Sequence, residues 1–420
     1  NSNIDVKNLP YNQKVINFIK EWKLRNKNGE VVMATASNNT IASKISSHLK
    51  LFDYVFGSDS RTNLSGKNKL NLIKEKFVDR KFDYIGDSIS DIIIWEESSK
   101  AILVNPKREL YKRLDDRQID YEVISKREIS FLPYIKLIRL YQWLKNLLIF
   151  LPVLAAHRLD SDLFLTSLIA LVSFSLVSSS IYVLNDLIDL ESDRLHPRKS
   201  KRQLASGEIK IVTAQKLSIT MLFMGFLISG LLNNLFFYAL IIYFISTIVY
   251  SLFLKKYYVF DVCLLAWLYT LRIIAGAAAT NIPISEWLII FSIFIFFSLA
   301  CIKRYAEIID NKAHRSFGNI SGRGYQSQDA SIISQMSICS GYVSVLVLAL
   351  YATSDPVSYL YSNPNFLIGV CLILFFWINR VIMITHKGNM HDDPIIFALK
   401  DKLSYFCFIL VLVFFYFAIV

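Results

Sequence analysis

Cysteine is scarce in this chain. Five occur in 420 residues, all in or beside apolar runs, with no C-x-x-C and no paired spacing. A disulfide framework and a structural zinc site are therefore excluded, and the thiols read as small buried hydrophobes. Charge is also scarce, at 19% of residues, and unevenly spread. Residues 1–130 hold 41 charged side chains (23 Lys/Arg, 18 Asp/Glu), whereas residues 131–420 hold 39. That division excludes a single soluble globular domain and a disordered chain. No signal-peptide pattern, internal repeat or low-complexity tract is visible. The net charge of +12 is shared by both parts and does not point to nucleic acid. What is present is apolar: 54% of residues are hydrophobic and the mean hydropathy is +0.39.

From residue 137 onward, apolar runs recur that are long enough to cross a hydrocarbon core. Nine spans are expected, near 138–156, 163–188, 217–233, 235–254, 261–280, 286–302, 331–352, 365–384 and 403–419. The third and fourth are joined by a tight turn at Leu232-Asn233-Asn234. Short polar loops make the expected fold an all-α polytopic membrane bundle of about nine helices. The loops 189–216, 255–258, 303–330 and 380–402 carry 7, 2, 5 and 4 Lys/Arg, and the alternate loops carry one, Arg158. This positive-inside bias puts the N-terminal part and the basic loops in the cytoplasm and the C-terminus on the other side. The expected location is a bacterial or archaeal plasma membrane.

The same loops hold most of the acidic residues of the apolar part, where a simple anchor has no use for them. The second expected span ends with Asn185, Asp186, Asp189 and Asp193. Spacings of three and four would place all of them on one face of a continuous helix at the membrane boundary. Three carboxylates so placed repel one another unless a cation neutralises them, and hard oxygen donors select Mg2+. A cationic arm follows from Arg194 to Arg202, suited to phosphate.

The string N-D-x-x-D-x-x-x-D, followed by H-P-x-K and by Ala205-Ser206-Gly207, resembles the first aspartate motif of the UbiA superfamily of intramembrane prenyltransferases. The resemblance extends over 131–420. Arg139, Gln142, Trp143, Lys145 and Asn146 are similar to the family's R-P-x-Q-W-x-K-N block, with Leu140 in place of the usual proline. The block from Tyr250 to Lys255, Asp261-Val262 and Leu271-Arg272 through Gly276 is similar to its central region. Lys303-Arg304-Tyr305-Ala306-Glu307 departs from the common second motif D-x-x-x-D. It is closer to the branch typified by decaprenyl-phosphate phosphoribosyltransferase.

In that branch, phosphoribosyl diphosphate loses diphosphate and a lipid phosphate attacks C1. The resemblance implies that Asp186, Asp189 and Asp193 hold Mg2+ on the leaving group. It implies phosphate contacts for Arg139, Lys145, Arg198 and Lys303, and a ribose or metal-shell role for Glu307. Asn146, Asn185, Lys255, Arg304 and Tyr305 lie in the same blocks and are expected substrate contacts. Arg272, inside a span, is a functional candidate on its own account, set against a structural ion pair. Gly322 to Tyr325, Met390 to Pro394 and Asp401 are read as loop or cap residues with a smaller chance of touching substrate.

In the N-terminal part, apolar runs at 30–36, 52–56 and 82–86 alternate with helix-like stretches, which suggests a parallel α/β sheet. Gly86-Asp87-Ser88-x-x-Asp91 resembles the fourth, Mg2+-binding motif of haloacid-dehalogenase-like phosphatases. Thr35 would match the second motif's phosphate-binding hydroxyl, and Lys69, or else Lys67, the third motif's lysine. The nucleophile motif D-x-D-x-T does not occur. The resemblance places it upstream of Asn1, so the expectation is a domain lacking its first segment, or otherwise a catalytically inactive one. The expected division is 1–110 for this domain, 111–130 for a charged linker and 131–420 for the transferase.

The leading expectation is an Mg2+-dependent transferase acting on polyprenyl phosphate with phosphoribosyl diphosphate as donor. Phosphoribosyl transfer leaves a 5-phosphate on the lipid-linked sugar, which a fused phosphatase could remove. The alternatives are transfer from a prenyl diphosphate to a small aromatic acceptor, and a transporter or scaffold with a regulatory soluble domain. A transporter should show broken spans or mid-membrane acids. The composition leaves the oligomeric state open.

Overall fold

The computed structural model describes residues 5–126, 131–158, 160–196, 199–313, 324–390 and 393–420. The chain divides into two units, Asn1–Tyr134 with Asp189–Lys210, and Ile135–Ile188 with Ile211–Val420.

The first unit is α/β. Strands β1 (Val32–Asn38) and β2 (Tyr54–Ser58) pair in parallel, Val32 opposite Tyr54. Strands β3 (Asp83–Gly86), β4 (Lys100–Val104) and β5 (Tyr121–Ser125) form a second parallel sheet in that order. Helices Gln13–Arg25 and Asn39–Leu49 start where Asn12 and Asn38 accept from the N–H two residues on. Trp95, Ile92, Leu103, Leu110 and Leu114 make the core beside β4.

The expected linker, 111–130, is ordered over its described part. Helix Arg108–Asp115 buries Leu110 and Leu114, four residues apart, and β5 closes the sheet. Charge dominates this stretch because the helix exposes its other face, which conceals the apolar stripe in a composition count.

The second unit is a helical bundle. Among the described residues, eight helices are long and apolar enough to cross a membrane: Ser161–Ile188, Ile211–Ser229, Asn234–Leu252, Phe260–Thr280, Glu286–Asp310, Ser327–Ala352, Phe366–His386 and Lys402–Ile419. They match eight of the nine expected spans. The remaining one, 138–156, is a 3-10 run Leu140–Phe150 followed by a short helix Leu151–Ala155. Sixteen residues so wound extend about 30 Å, because the 3-10 form rises ~2.0 Å per residue.

Helices Ser161–Ile188 and Phe260–Thr280 are the most buried. They share one apolar cluster around Phe174, Leu240 and Leu271. The opposite side of Phe260–Thr280 joins a second cluster with Phe296, Leu299, Ile378 and Val381. Small residues allow close helix contacts. Ser173 donates to the Gly225 carbonyl at 2.7 Å, and Ser298 to the Ser337 carbonyl at 2.8 Å. At Gly276 a Cβ would overlap the Ile149 carbonyl, so only glycine lets the 3-10 run lie against this helix.

Candidate active site

The carboxylate motif is not one continuous helical face. Helix Ser161–Ile188 stops before Asp189, which is the N-cap of a new helix, Leu190–Leu195. Asp, Asn and Ser compete locally for backbone hydrogen bonds, and five such residues within nine positions break the helix. Asp186 is buried and lies 2.5 Å from the Arg139 guanidinium, which also covers the Tyr182 ring. Within the first unit, Asp193 is buried and accepts from Arg202 at 2.6 Å, with Lys199 at 4.0 Å. Among the described residues its Oδ1 has no hydrogen-bond partner. Asn185 and Asp189 are half-buried.

Among the described residues no group of three or more His, Cys, Asp or Glu side chains is gathered around a metal position. The donor chemistry nevertheless suits a hard divalent ion: carboxylate oxygens, one of them buried and unsatisfied.

Inside the bundle, the 3-10 run, helix Phe260–Thr280, helix Glu286–Ala313 and the loop before the final span converge on one cluster. Asp393 Oδ2 accepts from Lys145 Nζ at 2.7 Å and from Lys303 Nζ at 3.0 Å, with the Tyr269 hydroxyl at 3.5 Å. The side chains of Lys145 and Asp393 are 6% and 8% exposed, so this is a buried charge cluster rather than a surface pair. Burial raises the Asp393 carboxyl, but Lys303 and Lys145 outweigh it and hold the group well below the ordinary carboxylate range. Its Oδ1 caps the short helix Pro394–Ala398 through the Ile395 N–H.

Tyr269 links this cluster to Arg272. Lys145 lies 5.6 Å and Arg272 5.1 Å from the centre of its ring. Arg272 donates to Asn146 Oδ1 at 2.8 Å, to the Leu268 carbonyl and to the Tyr243 hydroxyl at 3.3 Å. Phe174 and Tyr243 complete the aromatic surround. Asn146 in turn donates to Ser175 at 2.8 Å. The structural ion pair weighed for Arg272 is not found among the described residues, where its partners are an amide, a carbonyl and a hydroxyl.

The K-R-Y-A-E block separates into distinct environments. Lys303 joins Asp393. Arg304, fully buried, pairs with Asp261 at 2.8 Å and with Glu307. Tyr325 donates to Asp261 at 2.6 Å. Tyr305 meets His386 at 2.6 Å. Lys255 is half-buried in the short turn Leu254–Lys256. Arg198, Gly322, Arg323, His391 and Asp392 lie outside the described residues.

In the first unit, Lys69 and Asp91 do come together. Lys69 Nζ is 3.4 Å from Asp91 Oδ1 and 2.8 Å from the Tyr84 hydroxyl, which itself donates to Asp91 at 3.0 Å. Burial and the adjacent Asp91 push the Tyr84 phenol well above its ordinary value. Asp87 is exposed, and the Thr35 hydroxyl accepts from the Ser37 N–H at the end of β1.

Tyr269 was absent from the expected site, and Asp393 was read there as a loop or cap residue with a smaller chance of touching substrate. Asp393-Pro394 does carry a legible signal, that of a helix start, but a cap signal cannot distinguish a capping carboxylate from one that also faces lysines.

These features define a polytopic helical membrane protein with buried cations and aromatic rings around a polar interior. Residues 147–400 match the UbiA prenyltransferase family, and the chain belongs to that family. It is 33% identical over 401 residues to the uncharacterized protein y4nM of Sinorhizobium fredii, covering 95% of this chain and 77% of that protein. It is 32% identical over 273 residues to a decaprenyl-phosphate phosphoribosyltransferase of Mycobacterium tuberculosis, covering 64% of this chain and 88% of the relative. A solved structure of digeranylgeranylglyceryl phosphate synthase superposes with a TM-score of 0.50 at 16% identity, covering 69% of this chain and 98% of that one, which shows a shared fold.

Proposed function

We propose that this family member transfers phosphoribosyl from phosphoribosyl diphosphate to a polyprenyl phosphate at the cytoplasmic side of the membrane. The observation that carries the reading is the convergence of Lys145, Lys303 and Arg272 on a buried interior where Asp393 is the carboxylate that bridges both lysines. Such an excess of buried positive charge suits phosphate-bearing ligands. The relative's name and the K-R-Y-A-E block support the choice of donor.

In the reaction a lipid phosphate oxygen bonds to C1 of the ribose as the C1–O bond to diphosphate breaks, and diphosphate leaves with the electron pair. Lys145 and Lys303 would bind phosphate oxygens, and Arg272 would offset charge deeper in the bundle. Tyr269 and Tyr243 would hold these cations in place and exclude water. The motif residues Asp186, Asp189 and Asp193 would hold Mg2+, which supplies charge screening on the diphosphate. No general base is needed, because the attacking phosphate is already anionic. The α/β unit, with Thr35, Lys69, Asp87 and Asp91, would bind the 5-phosphate of the product, and its hydrolysis would need a nucleophilic aspartate motif that these 420 residues do not contain.

The test is incubation of membranes carrying the protein with labelled phosphoribosyl diphosphate and polyprenyl phosphate, with a prenyl diphosphate as the competing donor. An acid-labile labelled lipid formed only with phosphoribosyl diphosphate is expected. Label transfer only from the prenyl diphosphate would overturn the reading.

A further inference from the structure

Asp393 faces two lysines with a single oxygen. Oδ2 takes both ammonium groups, at 2.7 and 3.0 Å, while Oδ1 remains in the cap of Pro394–Ala398. One oxygen bridging two ammonium groups is also the way a phosphate oxygen would sit between them. The local charges do not balance. Lys145, Lys303 and Arg272 share Tyr269 or Asp393 as neighbours; Asp393 contacts both lysines, and Glu307, itself paired with Arg304, also acts on Lys303. Arg272 is held by neutral groups. Positive charge therefore remains in excess around the lysines and Arg272, in a region where unpaired charge is costly.

We propose that Asp393 is a displaceable counter-ion: it occupies the phosphate seat on Lys145 and Lys303, and an incoming ligand takes that seat by bringing more negative charge than one carboxylate can. The inference rests on the phosphate-binding reading above and deepens it. Asp393 becomes a specificity-determining residue. A monoanion gains nothing over the internal carboxylate, whereas a diphosphate or a phosphate monoester dianion neutralises the lysines and part of the Arg272 charge as well. Because Asp393 also caps the following helix, its departure from the lysines should loosen the first turn of Pro394–Ala398.

The experiment uses the full chain in nanodiscs, with inorganic diphosphate as the probe and calorimetry as the readout, so no turnover is needed. Asp393→Asn keeps the shape and removes the competing charge, so it should bind diphosphate about tenfold more tightly than wild type. Asp393→Glu keeps the charge and should bind near the wild-type level. The KM for phosphoribosyl diphosphate should fall in the Asn variant without a rise in kcat. Weaker or unchanged diphosphate binding by a folded Asn variant would overturn the displacement idea while leaving the proposed function standing. Failure of wild type to bind either diphosphate or phosphoribosyl diphosphate would overturn both. Should the Asn variant not fold, hydrogen exchange on wild type decides. Diphosphate should speed exchange of the amides at 395–398, and unchanged exchange would refute displacement.

Discussion

Arg272 donates its Nε to Oδ1 of Asn146 across 2.8 Å, so a guanidinium buried among aromatic rings is held by an amide and keeps its full charge. Asn146→Asp would preserve the acceptor and neutralise the cation. Thermal stability should hold or rise, while the KM for an anionic substrate rises about tenfold. Steady-state kinetics beside a melting curve checks both halves of this expectation.

Removing Lys145 should be more damaging than removing Lys303. Lys145 is 6% exposed and Lys303 31%, so Lys145→Met leaves Asp393 with the more solvated of its two partners. Breaking a buried pair costs about 3–5 kcal/mol. We expect Lys145→Met to lower Tm clearly and to abolish transfer, and Lys303→Met to lose activity with a smaller change in Tm.

Arg304 is a different kind of cation. It is fully buried and paired with Asp261 and Glu307, which ties helix Glu286–Ala313 to helix Phe260–Thr280. Arg304→Met alone should destabilise by about 3–5 kcal/mol, and Arg304→Met with Asp261→Leu should recover most of that loss. Recovery of Tm together with activity would assign Arg304 to scaffolding. Recovery of Tm without activity would assign it to substrate.

Gly276→Ala should push the 3-10 run away from helix Phe260–Thr280, because the new methyl group meets backbone that cannot rotate aside. An overpacking cost of about 1–3 kcal/mol is expected. Activity should fall further than stability alone would require, because Asn146 and Lys145 move with the run. Comparing activity at equal folded fraction separates the two effects.

Acid should act through Asp401. Hydrogen bonds from Arg380, at 2.7 and 2.9 Å, and from Ser404 hold its carboxyl at about 2. The folded value lies below the unfolded one, so the stabilisation is complete above the unfolded pKa and is lost as pH falls toward about 2. Asp401→Asn should flatten the decline of Tm between pH 4 and 2.5 and lower Tm at neutral pH.

Much of this architecture could be read from residue order, because hydropathy over twenty residues is a strong signal and eight helices lie close to their expected positions. The parallel α/β character was legible in the strands ending near Asn38 and Gly86. Other features were hidden for definite reasons. Helical spacing assumes continuity, and Asp189 interrupts it. Helix Arg108–Asp115 carries its apolar stripe on two leucines among charges, so composition made it look like a linker. Lys145, Lys303 and Arg272 could be named from local pattern. Their common neighbours could not, since Asp393 lies 248 residues from Lys145 and only tertiary folding brings the two together.

The unusual winding of Leu140–Phe150 has one more consequence. Rewound as an α-helix, those eleven residues would shorten by about 5 Å. Neighbouring side chains would also diverge by about 100° rather than 120°. Lys145 and Asn146 are consecutive residues that serve different partners, one facing Asp393 and the other Arg272. In the 3-10 winding both contacts are made at once. The segment thus works as a gauge block whose length and phase set the distance between the two charges it touches.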